Sequence, residues 1–253
     1  WSPYRNEWHE VVASLLRWGR FRSAQDQIHR FFERCISLLG WPDGVSTWNE
    51  MWDDNLAFSV RELFVLLVAE LVGAVDGEGL GVVMGRPYFD DSNRESRYQS
   101  FSALDAYVGS LDNIRNRRLQ LRRVSLATDL LKARADEHGP SFEDIIDAEI
   151  LLFVRSTLDT FRDDVDAALE GIWRPRPIIY RSRRPEWSLT RRLESTAYFV
   201  QMAPALGVTS AGELRKHLDA LPENGALMRF EFTALNAQSV LSFVPAERLC
   251  ALP

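Results

Sequence analysis

Up to about residue 100, apolar residues recur every three or four positions, the spacing that lines one face of a helix. Trp8, Val11, Val12, Leu15 and Leu16 form one such set, and Ile28, Phe31, Phe32, Cys35, Ile36 and Leu39 a second. Gly, Pro and Gly in "LGWPDG" (39–44) then interrupt the pattern. Two capping boxes follow: Thr47 with Glu50 predicts a short helix, and Ser59 with Glu62 a longer one through "RELFVLLVAELV". The longer one is apolar on nearly all sides, which places it at the centre of an N-terminal core.

"GAVDGEGLGVVMG" (73–85) is the glycine-rich segment. A phosphate loop needs strand, glycines, then helix, followed by a Lys-Ser/Thr pair. Here the order is helix, glycines, then strand-like "LGVVM"; no such pair follows, and Asp76 and Glu78 would repel a phosphate. A helix-terminating loop is the expectation. "YFDDSNRESRYQS" (88–100) reads as a polar connector between a helical domain, 1–100, and a second domain, 101–253.

A helical run is expected over 102–136, and Ser141 with Asp144 opens another helix behind Pro140. "IIDAEILLFVRS" (145–156) suits a buried strand or a core helix equally. Beyond residue 172 the pattern predicts a strand near 177–181, then a helix through "SLTRRLESTAYFVQMAPALG" that stops near Gly207. A helix capped by Ser210 with Glu213 follows, and the alternation of "LMRFEFT" predicts a strand at 227–233, paired with 239–244. The expected fold is mainly α: a helical domain, a helical region, and a small α+β C-terminal part with a few short strands.

Composition narrows the class. The chain has 253 residues, 46% hydrophobic and 26% charged, within the globular range. Its longest apolar run, Leu63 to Ala69, is too short to cross a bilayer, so no membrane partner is expected. No basic-then-apolar leader opens the chain, which starts at Trp1 rather than Met. Cys35 and Cys250 form no ligand pattern and no disulfide scaffold, pointing to a cytoplasmic location with Cys35 as a buried thiol. The eight tryptophans, six of them among the first 52 residues, are expected to fill the helical core.

The net charge is −6, yet the charges are unevenly placed. Eleven acids lie within 136–170 against Arg155 and Arg162. Next to them, 172–192 carries Arg174, Arg176, Arg181, Arg183, Arg184, Arg191 and Arg192 against Glu186. Two arrangements are open. The arginines can pair internally with the acidic helix, each exposed pair contributing about 0–1 kcal/mol. Alternatively they face outward with Trp173 and Trp187 and dock a protein, or DNA or RNA, by charge and stacking. A second basic stretch at 115–123 would place Arg115, Arg118 and Arg122 on one solvated helix face.

Catalytic and cofactor signals are sparse. His9, His29, His138 and His217 form no His-Glu-x-x-His, and no Cys-x-x-Cys is present, so neither a metal nor a cofactor is expected. Asp26 with His29, Glu143 with Asp147, and Asp159 with Asp163 and Asp166 share helix faces but complete no site. "RSAQDQIH" sets six residues between Arg22 and His29. In that one motif the chain resembles the HEPN ribonucleases, whose Arg and His hold the scissile phosphate and support attack by the 2′-hydroxyl. That resemblance implies a helical, metal-independent ribonuclease of the kind found in toxin or phage-defence systems. The leading expectation is different: a non-catalytic interaction subunit of a larger bacterial assembly, docking its partner through an arginine-rich segment.

Overall fold

A computed structural model describes residues 2–39, 54–91, 97–105, 108–135, 137, 139–162, 171–177, 188–221, 228–230, 233–235 and 248–252. In chain order the helices are α1 (Ser2–Arg17), α2 (Phe21–Leu38), α3 (Asp54–Gly73), α4 (Gly77–Gly85), α5 (Asn116–Arg118), α6 (Leu126–Ala135), α7 (Phe142–Phe161), α8 (Ser188–Arg192), α9 (Thr196–Leu206) and α10 (Ala211–Asp219). The strands are β1 (Tyr88–Asp90), β2 (Arg97–Gln99), β3 (Met228–Phe230) and β4 (Thr233–Leu235). The fold is mainly α with a few short strands, as expected. Two compact units divide the chain: residues 1–70 with 86–142, and residues 71–85 with 143–253.

In the first unit α3 is the buried axis. Phe64, Val65, Leu66, Leu67 and Val68 are almost wholly enclosed. Rings fill the space around it: Phe32 meets Phe64 edge-on at 5.1 Å, and Phe64 stacks with Phe101 at 6.2 Å. Trp8 stacks on Phe31 at 5.0 Å and donates its indole N–H to the Leu63 carbonyl at 3.0 Å, so this tryptophan fills the core as predicted. Trp18 does not. It is 75% exposed in the turn that follows α1, and Val11 of α1 is 51% exposed, whereas Val12 is buried. The apolar positions of α1 therefore divide between two faces.

α3 begins at Asp54, earlier than the expected cap at Ser59. Ser59 lies inside the helix, its hydroxyl returning a bond to the Asn55 carbonyl at 2.8 Å. Glu62 is spent elsewhere, on Arg5 (3.2 Å) and Arg134 (2.5 Å). The other predicted box, Thr47 with Glu50, lies outside the described residues.

The polar connector at 88–100 is corrected: its ends are strands, paired antiparallel as Tyr88 with Gln99, Phe89 with Tyr98 and Asp90 with Arg97. Tyr88 is buried, and the Glu33 carboxylate accepts the Phe89 N–H at 3.0 Å. Strands of three residues are too short to display a period of two. The helical run expected over 102–136 is also interrupted. A 3-10 turn (Phe101–Leu104), a π-helical stretch (Ser110–Arg115) running into α5, a loop, and α6 occupy it. Phe58, Val108, Leu111, Ala127 and Leu131 form the small core beneath this region.

In the second unit the glycine-rich segment ends α3 in a short turn at 74–76, and the strand-like remainder is instead helix α4. An added Cβ at Gly77 would lie 1.9 Å from the Gln201 carbonyl oxygen, and one at Gly81 3.0 Å from that of Pro204. One turn apart on one face, these glycines let α4 lie backbone to backbone against α9, which overrides glycine's low helix propensity. Asp76 caps α4 by accepting the Gly79 N–H at 2.9 Å.

The ambiguous stretch 145–156 is helical, within α7. Its acids are not solvated: Glu149 accepts the Trp173 indole N–H at 2.6 Å, and Asp147 accepts the Leu189 N–H at 3.1 Å. Arg155 donates to the carbonyls of Pro204 (3.2 Å) and Ala205 (3.1 Å), satisfying the C-terminal end of α9. The predicted helix over 188–207 is split into α8 and α9. Ser195 caps α9 by accepting the Tyr198 N–H at 3.4 Å, and Gly207, at φ +69°, ends it as expected. Ser210 caps α10, accepting the Glu213 N–H at 3.1 Å. The strand predicted over 227–233 is two, β3 and β4, paired antiparallel with Met228 opposite Leu235 and Phe230 opposite Thr233. Its expected partner, 239–244, lies outside the described residues, as does all but residue 177 of the strand near 177–181, which sits in a 3-10 turn.

Candidate functional site

The first candidate, 172–192, opens with Trp173, which is fully buried rather than turned outward. Its backbone N–H donates to the Ser156 hydroxyl at 2.9 Å and its indole N–H to Glu149. Arg176 is buried; Arg174 and Arg191 are exposed. Arg192 places Nη2 3.3 Å from the Asp147 carboxylate, with its guanidinium 4.9 Å from the centre of the Tyr198 ring. Burial pushes the Asp147 carboxyl above the usual range, opposed by the Leu189 N–H and the Arg192 charge. One bridge between acidic helix and basic segment is thus internal. Arg181, Arg183, Arg184 and Trp187 lie outside the described residues.

Arg22 and His29 stand two turns apart on α2, in different surroundings. Arg22 is exposed; His29 is 5% exposed, stacked on Tyr88 at 4.3 Å. The His29 Nε2 sits 3.1 Å from the Pro87 carbonyl oxygen and 3.3 Å from the Glu33 carboxylate. Burial first, and the nearby Arg86 charge second, hold the imidazole below its ordinary pKa. That ring is enclosed by Tyr88, Pro87 and Glu33, while Arg22 stands exposed two turns away. Asp26, its neighbour in the motif, is bound at 2.6 Å by Arg86, whose guanidinium holds this carboxyl below its usual range.

Of the acid pairs, Asp147 is engaged as described and Asp159 pairs with Arg155 at 2.7 Å and Arg162 at 3.3 Å. Asp163 and Asp166 lie outside the described residues. Among the described residues no three His, Cys, Asp or Glu side chains are grouped to hold an ion.

The second basic stretch takes a form the sequence did not suggest. Arg115, Arg118 and Arg122 do not share a helix face, because α5 stops at Arg118 and the chain turns back. Gln120 (φ +52°) and Arg122 (φ +51°) adopt left-handed backbone, with the Leu121 N–H returning to the Asn116 carbonyl at 3.0 Å. The Asn116 side chain closes the loop on both sides: its amide donates to the Arg123 carbonyl at 2.6 Å, and its oxygen accepts the Arg123 N–H at 3.1 Å. Below, Asp112 accepts the N–H groups of Leu126 (2.6 Å) and Ala127 (3.0 Å), anchoring the loop to the start of α6.

On that pinned frame stand Arg115, Arg117, Arg118, Arg122 and Arg123, all exposed. Arg123 reaches Asp129 at 3.4 Å; the other four meet no carboxylate among the described residues. Between Asp112 and Asp129 there is no acid. Four aliphatic side chains, Ile114, Leu119, Leu121 and Val124, are exposed among the arginines. A shallow depression of about 360 Å³ lies between Asp112 and Arg122. Sequence reading found the charge here but missed the interleaved apolar residues, whose signal was a run of aliphatics at 114, 119, 121 and 124 that fits no single helix face.

Among the described residues no helix is long and apolar enough to cross a membrane. Comparison of the chain with protein-family models, with curated proteins and with solved structures finds no match.

Proposed function

We propose that the chain is a non-catalytic interaction subunit of a larger assembly, and that it docks an acidic protein partner through the arginine-rich loop 113–124. The reading rests on one observation: a rigidly tied loop displays five arginines and four aliphatic side chains to solvent, with no acid among them. Ordinary solvated loops do not expose aliphatics at this density. Arginine with branched aliphatic neighbours suits a partner segment that alternates carboxylates with apolar anchors. Stacking on bases, in contrast, favours Phe, Tyr or Trp, and none of these lies between 109 and 141.

The test is fluorescence anisotropy with three labelled probes of equal charge. They are a helical peptide alternating Glu with Leu and Phe, an all-Glu peptide, and a single-stranded oligonucleotide. The acidic-apolar peptide is expected to bind about tenfold more tightly than the other two, and Leu119→Ser with Leu121→Ser to erase that preference. Preference for the oligonucleotide transfers the role to nucleic acid. Failure of all three probes to bind at low salt removes the reading.

A further inference from the structure

The outward face of α1 carries a second surface, independent of the arginine loop. α1 turns Arg5 and Val12 inward and leaves Val11 half exposed, with Leu15 half-buried beside it, and Trp18, in the turn directly after the helix, is three-quarters exposed. These residues line an open groove of about 900 Å³, bounded by Glu7 and Glu10 toward one end and by Arg20 at the other. Arg17, also exposed, stands on the flank that Glu10 occupies two turns earlier. No ion pair holds Glu7, Glu10, Arg17 or Arg20 among the described residues.

The order along this face is symmetric in shape and opposite in charge about Ser14. Glu10 precedes Ser14 by four residues and Arg17 follows it by three. Val11 precedes it by three and Trp18 follows it by four. We infer that this face docks a second copy of the chain, antiparallel, across a two-fold axis at Ser14. In that arrangement Glu10 meets the second copy's Arg17, and Val11 packs against its Trp18. A parallel pairing sets like charges side by side and is disfavoured. The small Ser14 at the crossing point permits the close approach that helix pairs need, about 8–10 Å between axes. Such a contact is isologous and closes at two copies.

Its strength follows from its size. α1 has 16 residues, about 24 Å of helix, and a strip about 10 Å wide buries roughly 500 Å² over both copies. That is below the roughly 1,200 Å² of stable specific interfaces, so the dimer is weak, reversible and salt-sensitive.

Sedimentation velocity on the full chain, from about 2 to 500 µM at low and high salt, is the test. A monomer–dimer equilibrium that weakens with salt is expected. Glu10→Arg alone sets arginine against arginine and is expected to weaken dimerisation about tenfold or more, as is Trp18→Ser. Exchanging both, Glu10→Arg with Arg17→Glu, is expected to restore it to within about threefold, because the swapped pair is again complementary. All the changes are on exposed positions, and unaltered circular dichroism and Tm verify that each variant folds. A parent that stays monomeric throughout overturns the inference. So does a dimer indifferent to Glu10→Arg and Trp18→Ser, or one that the double exchange fails to restore.

Discussion

Replacing Gly77 by alanine reverses the usual sign of a glycine-to-alanine change in a helix. In an exposed helix interior that change stabilises by about 1 kcal/mol, through propensity alone. At Gly77 the new Cβ would lie 1.9 Å from the Gln201 carbonyl oxygen and 2.9 Å from the Met202 Cα. A carbon–oxygen contact needs about 3.3 Å, so α4 and α9 must separate by roughly 1.4 Å. Both neighbours are backbone and cannot swing aside as a side chain does. Overpacking of this kind costs about 1–3 kcal/mol, and the upper end applies when backbone must move. Gly77 is the first residue of α4, where the propensity gain is smallest, leaving a net loss of about 2–3 kcal/mol. In a chain of this size that lowers Tm by roughly 4–12 °C. Gly81→Ala meets Pro204 atoms at 3.0–3.2 Å, a few tenths of an ångström too close, and falls between Gly77→Ala and the parent. Gly73→Ala, with nothing within 4 Å and ordinary backbone, is the control and is neutral to slightly stabilising. Thermal unfolding by circular dichroism ranks the three. A Gly77→Ala variant as stable as the parent, or less affected than Gly81→Ala, refutes the close approach of α4 to α9.

Four further outcomes follow from buried groups. Glu62→Leu deprives both Arg5, which is 4% exposed, and Arg134 of their shared carboxylate, and is expected to cost about 3–5 kcal/mol in urea unfolding. Arg5→Met with Glu62→Leu is expected to regain most of it, since an apolar pair of similar volume replaces a buried charge pair; no recovery would show that the charges themselves stabilise the core. His29 has its folded pKa below the ordinary 6.5, so the unfolded chain takes up the proton first, and stability falls as pH drops through 6.5. Tm measured from pH 7.5 to 5.5 is expected to fall more steeply in the parent than in His29→Gln, and equal slopes would contradict this. The same protein is expected to leave labelled RNA intact; cleavage lost in both Arg22→Ala and His29→Ala would instead revive the ribonuclease likeness. Burial pushes the Cys35 thiol up to about 11, so a disulfide reagent at pH 8 is expected to label Cys250 first and Cys35 only on unfolding.

How much of this was legible in the sequence depends on the range of the interaction that decides each element. α1, α2, α3, α10 and the end of α9 carry their own signals: apolar patterning, Ser210 at an N-cap and Gly207 in left-handed backbone, whereas the Ser195 cap that divides α8 from α9 went unread. α4 was missed because its glycines answer to α9, more than a hundred residues away, and a single sequence shows only their low propensity. α7 reads as strand or helix because it is apolar all round, and its buried acids became intelligible only with Trp173, Leu189 and Arg192 placed against them. For the site, adjacency of the acidic and basic stretches foretold the Arg192–Asp147 bridge in kind though not in residue. The arginine loop was visible as charge. Its shape was not, because left-handed Gln120 and Arg122 are held by Asn116 rather than by glycine, and nothing local announces the turn.

Binding of the acidic-apolar peptide to the parent and to Arg117→Glu with Arg118→Glu and Arg122→Glu, at about 50 and 300 mM salt, tests the docking reading most directly. The account predicts that the parent binds and loses affinity with salt, while the charge-reversed protein, unchanged in Tm, does not bind at either concentration. Equal binding by the two proteins would contradict it.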